Sequence, residues 1–433
     1  MIFGIHDTKT VEQFKVIQNQ SVASALMADG HVGYIMPVGG VAAYDNQVSV
    51  VGVGFDIACG NCAIRTNLKL SDISSNKLTC EAVLANPHRA ISDLSLNALG
   101  ERIQKTISFG VGRSNIANDA PVDDPLFFDY AWNIIPNTGH YRDELRDKAR
   151  RQLGTVGSGN HYVDVFVDKA DDSIWVGVHF GSRGLGHTIA SNFLAIGQGG
   201  AWGDKGREVE TLLDLSTQAG QDYWALMELG GRYAYAGREW VARKVVSLLG
   251  GIELDLVHNH HNFAWKEQHI IDGSKRELVV VRKGATPAFP DQRGFVGGSM
   301  GDDAVIIKGT KDAAAEVKII QEKALYSTVH GAGRVMSRTE AAGKRDYKTG
   351  QLMRSKVTGE IVHAGKVTST MMSEWISSFG TVLRGGGLDE SPHAYRRLTE
   401  VLAAQGNTIE VTNILKPLIV VMAGANEFDP YKD

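Results

Sequence analysis

The chain has 433 residues, 43% hydrophobic and 22% charged, with 45 basic against 49 acidic side chains and a formal net charge of −4. That balance excludes a uniformly basic nucleic-acid coat but leaves room for a local basic groove. No run of about 18 uncharged apolar residues occurs, and the start, MIFGIHDTKTVEQFK, lacks a basic segment leading into an apolar core. Neither a membrane span nor a secretory leader is therefore expected. Three cysteines (Cys59, Cys62, Cys80) cannot build a disulfide framework. They fit a reducing, cytoplasmic setting, where a conspicuous cysteine more often binds metal or reacts. The 49 glycines cluster in short motifs, prolines number 10, and no repeat or low-complexity tract interrupts the pattern. One large domain over 1–433 is the expectation.

In chain order, strand-like runs fall at 48–58 (VSVVGVGFDIA), 162–168 (YVDVFVD), 173–180 (SIWVGVHF), 277–284 (ELVVVRKG), 304–309 (AVIIKG) and 418–424 (LIVVMAG). Each is β-branched and bounded by Gly, Asp or Lys. Helical periodicity is clearest at 220–249 and 393–405. The segment 142–152, RDELRDKARRQ, carries charge on every face and reads as an exposed helix, with an RNA-contacting face as the alternative. Strands and helices do not alternate regularly, which predicts an α+β fold over a doubly wound parallel sheet.

The residues that carry chemistry sit at strand ends. FDIACGNCA offers Asp56 and Cys59, GSGNHYVDV offers Asn160 and His161, VGVHFGSRG offers His179, and HNHHNFAWKE offers His258, His260 and His261. A single such histidine is more often a satisfied polar residue. Together they form a mixed N/S/O donor set suited to Zn²⁺ or Mn²⁺, in which a thiolate can bridge two ions. Phosphate chemistry often uses two metals about 3.5–4 Å apart. Cys62 completes one CxxC with Cys59, but without a second CxxC a zinc ribbon is not supported. VRKGATPAF adds Lys283, and GGSMG (297–301) adds glycine-lined backbone able to hold a phosphate or a base. GSRGLGH has the order GxxGxG rather than GxGxxG, which argues against a dinucleotide fingerprint.

The stretch TVHGAGRVMSR (328–338) sets His330 against Gly331, Ala332 and Gly333, with Arg334 and Arg338 beyond. Glycines allow close backbone approach, and arginines match phosphate oxygens. The histidine could serve as nucleophile, proton carrier or ligand, or be an ordinary turn histidine.

Assembled, the blocks VGFDIACG, LGTVGSGNHYVDV, VHFGSRGLGH, HHNFAWKE, RKGAT, GGSMG, HGAGRVMSR and LDESPHAYRRLTEVLAAQG resemble the RtcB family of RNA-splicing ligases, in family order. The likeness runs over about 27–424 and leaves 425–433 as a C-terminal extension. It implies a single α+β catalytic domain with mixed sheets around a metal and nucleotide cleft, dependent on Mn²⁺ (two ions) and GTP. By that resemblance Asp56, Cys59, His161, His179 and His261 are metal ligands, with Cys59 bridging. His330 becomes the covalently guanylylated residue, and Asp29, in MADGH, orients it. Asn160, Asp164, His261, Asn262, Lys283, Gly297, Gly298, Ser299, Met300, Gly331, Ala332, Gly333, Arg338 and Tyr395 surround the nucleotide. The implied reaction joins an RNA 3′-phosphate or 2′,3′-cyclic phosphate to a 5′-hydroxyl through a histidine–GMP intermediate. The implied partners are broken RNA ends, as in tRNA splicing or RNA repair; some members of the family also use an archease-like activator, and no residue of this sequence tells whether this chain does.

The sequence departs from the family pattern around the base. Asp164 stands where the family has Glu, Ala304 aligns with a Ser, and Ala423 replaces the Lys of a terminal Lys-Gly. Weakened preference for GTP over ATP is expected, with Lys432 the one amine of the extension able to restore a contact. Two other functions compete: a metal-dependent phosphoesterase that opens cyclic phosphates without ligating, and a non-ligating RNA-binding relative. Retention of His330, Lys283 and Arg338 argues against the first, and the full donor set against the second.

Overall fold

The computed structural model describes residues 1–346, 349, 351–425 and 427; most of the 425–433 extension, Lys432 included, lies outside the described residues. The fold is mixed α/β, built on one large and one smaller antiparallel sheet. In the large sheet the strands run, edge to edge, Arg293–Val296, Ala304–Gly309, Ile409–Met422, Tyr162–Asp168, Ser173–Phe180, Gly60–Lys69 and Glu253–His260. Val382–Arg384 adds a short parallel pairing to Ile409–Met422. Side chains nearly close this sheet on itself. Asn259 Oδ1 accepts from Phe295 N at 3.0 Å, Asn61 Nδ2 donates to Phe295 O at 2.9 Å, and Arg293 pairs with Asp255 at 2.6 Å.

Strand alternation divides the large sheet's residues between two cores. In YVDVFVD the three valines (Val163, Val165, Val167) face outward. There they join Cys62, Ile64, Val176 and Val178 against Val241, Ala242 and Val245 of the helix Gln218–Leu249 and Leu96 and Ile103 of Leu94–Thr106. Tyr162 and Phe166 face inward with Ala63, Trp175, Val257, Phe295, Ile306 and Val420. Asp164 shares that inward side, directly opposite Val420. The smaller sheet orders Ala23–His31, Val38–Tyr44, Ser274–Lys283 and Asn262–Ile271.

Three sequence expectations are corrected. The run at 48–58 is not a strand: Gln47–Ser49 pairs briefly, then Val50–Val53 turns as a helix. Ser49 caps that turn by accepting from Gly52 N at 2.8 Å, so local capping overrides the β-branched composition. The helix Tyr141–Gln152 is not exposed all round, because Leu145, Ala149 and Gln152 are buried. The expected helix at 393–405 is regular only over Leu398–Gln405, behind a 3₁₀ turn at Pro392–Ala394. Among the described residues no helix is long and apolar enough to cross a membrane.

Candidate active site

Antiparallel pairing explains why distant motifs converge. Neighbouring strands reverse direction, so the start of one lies beside the end of the next. His161 precedes Tyr162–Asp168, His179 nears the end of Ser173–Phe180, and Cys59 precedes Gly60–Lys69. His261 follows Glu253–His260, at the corner where the chain leaves the large sheet for the smaller one. All four therefore meet at one end of the sheet's strands, and Asp56 joins them from the loop before Cys59.

Cys59 Sγ lies 3.3 Å from His179 Nε2 and 3.6 Å from His161 Nε2, and His179 Nε2 lies 3.3 Å from His261 Nε2. Asp56 Oδ2 stands 3.2 Å from His161 Nε2. Ligand atoms of Cys59, His161 and His179 fall within 4.8 Å of one another. Burial and the surrounding imidazoles push His179 and His261 well below the ordinary histidine range, so both rings are neutral with lone pairs to donate. Burial, with the Asp56 carboxylate beside it, pushes the Cys59 thiol well up. Burial would also raise Asp56, but the hydrogen bond and charge of His161 override it and hold the carboxyl at about 2. A thiol, a carboxylate and neutral imidazole nitrogens crowded at such distances are short of positive charge. The donor set fits divalent cations, with Cys59 placed centrally. Glycine at 181 makes room for it, since a Cβ there would meet Asp56 Oδ1 at 2.1 Å.

His258 and His260 lie apart from this set. The fully buried Arg238 holds them, its Nε 2.8 Å from His258 Nε2 and its Nη2 2.9 Å from His260 Nδ1. The same guanidinium donates from Nη1 to Ala58 O (2.8 Å) and Phe180 O (2.6 Å), the carbonyls next to Cys59 and His179. Sequence reasoning missed Arg238. Its one signal was a charged residue on the apolar stripe of the 218–249 helix.

Beside the cluster stands His330, its ring centroid 4.7 Å from that of His261. Its Nδ1 is 2.7 Å from Asp29 Oδ2, and the same oxygen accepts from His330 N (3.0 Å) and Gly331 N (3.2 Å). Asp29 is fully buried; burial would raise its pKa, yet the contacts with His330 leave it below the ordinary carboxylate value. The turn after His330 needs glycine at 333, where φ is +71° and a Cβ would meet Asp29 O at 2.3 Å.

A cleft of about 1480 Å³ joins these groups. Its walls include Asn160, Asp164, Lys283, Gly297, Gly298, Ser299, Met300, Gly331, Ala332, Gly333, Arg338 and Tyr395, so the expected nucleotide residues are gathered. Asn160 O lies 3.1 Å from His179 Nδ1, and Lys283 Nζ donates to Val51 O at 3.2 Å. Asn262 is a brace: its Oδ1 accepts from Gly284 N at 2.7 Å and its N–H side reaches Asp56 O at 3.5 Å. The two arginines of 328–338 are less open than the sequence suggests. Arg338 pairs with Asp389 at 3.0 Å and with Glu390. Arg334 donates to Tyr395 OH (2.9 Å), Met336 O (3.0 Å) and Asp389 O (2.7 Å). Asp389 and Glu390 were visible in LDESPHAYRR but not singled out as arginine partners. Ala304 and Ala423 are buried, and it is Val420 and Met422 that the C-terminal strand presents to the cleft.

The family model described as tRNA-splicing ligase RtcB matches residues 8–423, beginning earlier than the motifs alone indicate. The chain is 31% identical to a tRNA-splicing ligase RtcB of Archaeoglobus fulgidus, covering 88% of this chain and 83% of that protein. It is 28% identical to the RNA-splicing ligase RtcB of Escherichia coli K12 (92% and 89% covered). An RNA-splicing ligase RtcB homolog 1 of Entamoeba dispar is 27% identical (92% and 79%). The chain belongs to the RtcB family and is an enzyme of the RNA ligase class.

Proposed function

We propose that the protein joins RNA ends bearing a 3′-phosphate, or a 2′,3′-cyclic phosphate first opened by hydrolysis, to 5′-hydroxyl ends through a nucleotidylated His330. The observation that carries this reading is the Asp29–His330 contact beside the donor cluster. A carboxylate against Nδ1 favours the tautomer with hydrogen there and leaves the Nε2 lone pair free to attack. Nε2 attacks the α-phosphorus of a nucleoside triphosphate; an N–P bond forms, a P–O bond breaks, and pyrophosphate leaves. Nδ1 keeps its proton, so the phosphorylated ring is cationic, and buried Asp29 balances that charge. An RNA 3′-phosphate oxygen next attacks the same phosphorus, breaking N–P and activating the RNA end. The 5′-hydroxyl then attacks the 3′-phosphorus, loses its proton, and expels the nucleoside monophosphate.

Asp56, Cys59, His161, His179 and His261 would hold two divalent ions, Mn²⁺ by family resemblance. When bound, these neutralise charge on phosphate oxygens. GTP is the family's nucleotide. Lys283 and the glycine-lined 297–300 segment provide positive charge and backbone approach for its phosphates. Broken tRNA or other RNA is the substrate, in a reducing cytoplasmic setting that suits three free cysteines. The plain phosphoesterase reading is weaker, since hydrolysis has no need of a histidine tied to a buried carboxylate.

The test is end specificity. Oligoribonucleotides with 3′-phosphate and 5′-hydroxyl ends should be joined in the presence of Mn²⁺ and nucleotide, while 3′-hydroxyl and 5′-phosphate ends should not. Equal joining of both pairs contradicts the order of steps.

A further inference from the structure

After Arg338 and Glu340 the chain leaves the cleft wall, and it returns to the core only at the buried Val367. Between them a small arm stands on the cleft rim. Two hairpins build it, with Arg345 bridged to Leu352 and Arg354 to Ile361. Met353 N donates to Lys344 O at 2.8 Å and Val362 N to Met353 O at 2.9 Å, so the hairpins share a middle strand. At the neck, Lys344 N donates to His363 O (3.0 Å), Lys366 N to Glu340 O (2.9 Å) and Val367 N to Ala341 O (3.0 Å). Gly365, at φ +80°, is needed there, because a Cβ would meet Gly343 N at 2.4 Å. Close packing at the neck fixes where the arm leaves the rim.

The arm adds little to the core. Met353, Val357, Ile361 and Val362 are all exposed, Val357 by 94%. Its charge runs against that of the chain. Its described residues carry Lys344, Arg345, Arg354, Lys356 and Lys366 against Asp346 and Glu360, in a protein with 45 basic and 49 acidic side chains. All five cations are exposed. Lys366 ties the neck by its 2.5 Å ion pair with Glu340. Among the described residues Lys344, Arg354 and Lys356 enter no ion pair, and Arg354 Nη1 donates only to Gly359 O at 3.0 Å.

These cations are spread over both hairpins and converge on no pocket, which suits a repeating polyanion better than a single phosphate. Strands rise about 3.3 Å per residue, so each hairpin carries its turn roughly 10 Å beyond the neck. An RNA strand whose end lies at His330 crosses the cleft rim on its way to solvent, and the arm stands on that rim. We infer that residues 343–366 grip the phosphate backbone of the RNA away from the ends being joined, through Lys344, Arg354 and Lys356. This rests on RNA as the substrate and is independent of the histidine chemistry.

The test compares the full-length parent with the triple variant Lys344→Ala, Arg354→Ala, Lys356→Ala, which should melt at the parent's temperature. Fluorescence anisotropy with a labelled, unreactive single-stranded RNA bearing hydroxyl ends, between about 50 and 200 mM salt, gives affinity and salt slope. The variant should bind at least tenfold more weakly. Its slope of log K against log salt should be shallower by about 2, for three contacts of about 0.7 each. Joining of long RNA should show KM raised tenfold or more with kcat unchanged, and nucleotide labelling of the protein without RNA should be unchanged. The charge-preserving variant Lys344→Arg, Arg354→Lys, Lys356→Arg should bind RNA as the parent does. Unchanged affinity and slope in the alanine variant overturn the inference, and are the outcome expected of an arm that docks a protein instead. A charge-preserving variant as weak as the alanine one also overturns it. If the parent joins no RNA, the ligation reading fails, and the anisotropy still decides the arm.

Discussion

Removing the Arg238 guanidinium, as Arg238→Met, should loosen the metal-candidate loop without touching any of its donors. Arg238 is fully buried and serves four acceptors: Ala58 O, Phe180 O and one ring nitrogen each of His258 and His260. Ala58 has a φ of +61°, a left-handed conformation costing a non-glycine residue about 1–2 kcal/mol. The hydrogen bond to its carbonyl helps to hold that conformation and so aims Cys59. A buried acceptor left without a partner costs about 1–3 kcal/mol. The two carbonyls alone then amount to about 2–6 kcal/mol. Relief of the buried cation's own desolvation offsets part of this, leaving about 1–4 kcal/mol. Domains carry roughly 5–15 kcal/mol in total, so the variant should still fold. Urea unfolding followed by tryptophan fluorescence gives the stability change, and Mn²⁺ titration gives the affinity, expected to fall tenfold or more. A variant within about 0.5 kcal/mol of the parent, with unchanged Mn²⁺ affinity, would refute the positioning role.

Cys59→Ala should lose both bound ions if the thiolate bridges them; metal analysis finding an unchanged content would remove Cys59 from the site. Asp29→Asn should slow nucleotide labelling of His330 by roughly 10²–10⁴, and a change under threefold would leave Asp29 no orienting role. The folded Asp29 carboxyl sits below its ordinary value of 3.8, so it contributes stability above about pH 4 that is lost as the pH falls through its folded pKa. Stability curves measured between pH 5 and 2 should therefore be shallower in Asp29→Asn than in the parent.

Much of the site was legible because its chemistry is written in rare residue types. Cys59, His161 and His179 each sit next to a β-branched run, and the antiparallel order that brings them together needs only adjacent strands. The strands at 162–168 and 173–180 were readable from β-branched density and Gly or Asp boundaries, and the 218–249 helix from its apolar stripe. What stayed hidden depends on tertiary partners. VSVVGV looks extended until Ser49 caps a turn within it. RDELRDKARRQ looks solvated although Leu145 and Ala149 dock on the core. Arg334 and Arg338 read as phosphate forks, but the carboxylates that occupy Arg338 lie some 50 residues on, where no spacing rule connects them. The smaller-sheet strands Ala23–His31 and Val38–Tyr44 are rich in Ala and Gly, which hid them from a propensity reading.

The account's central claim is that His330 carries the nucleotide covalently. Protein incubated with Mn²⁺ and α-labelled ATP or GTP, denatured under alkaline conditions and digested, should yield one labelled peptide. That peptide should span residues 328–338, with the label on His330 by mass spectrometry. His330→Ala should give no labelled peptide while binding the same amount of metal as the parent. A label on any other residue, or labelling that survives in His330→Ala, contradicts the claim.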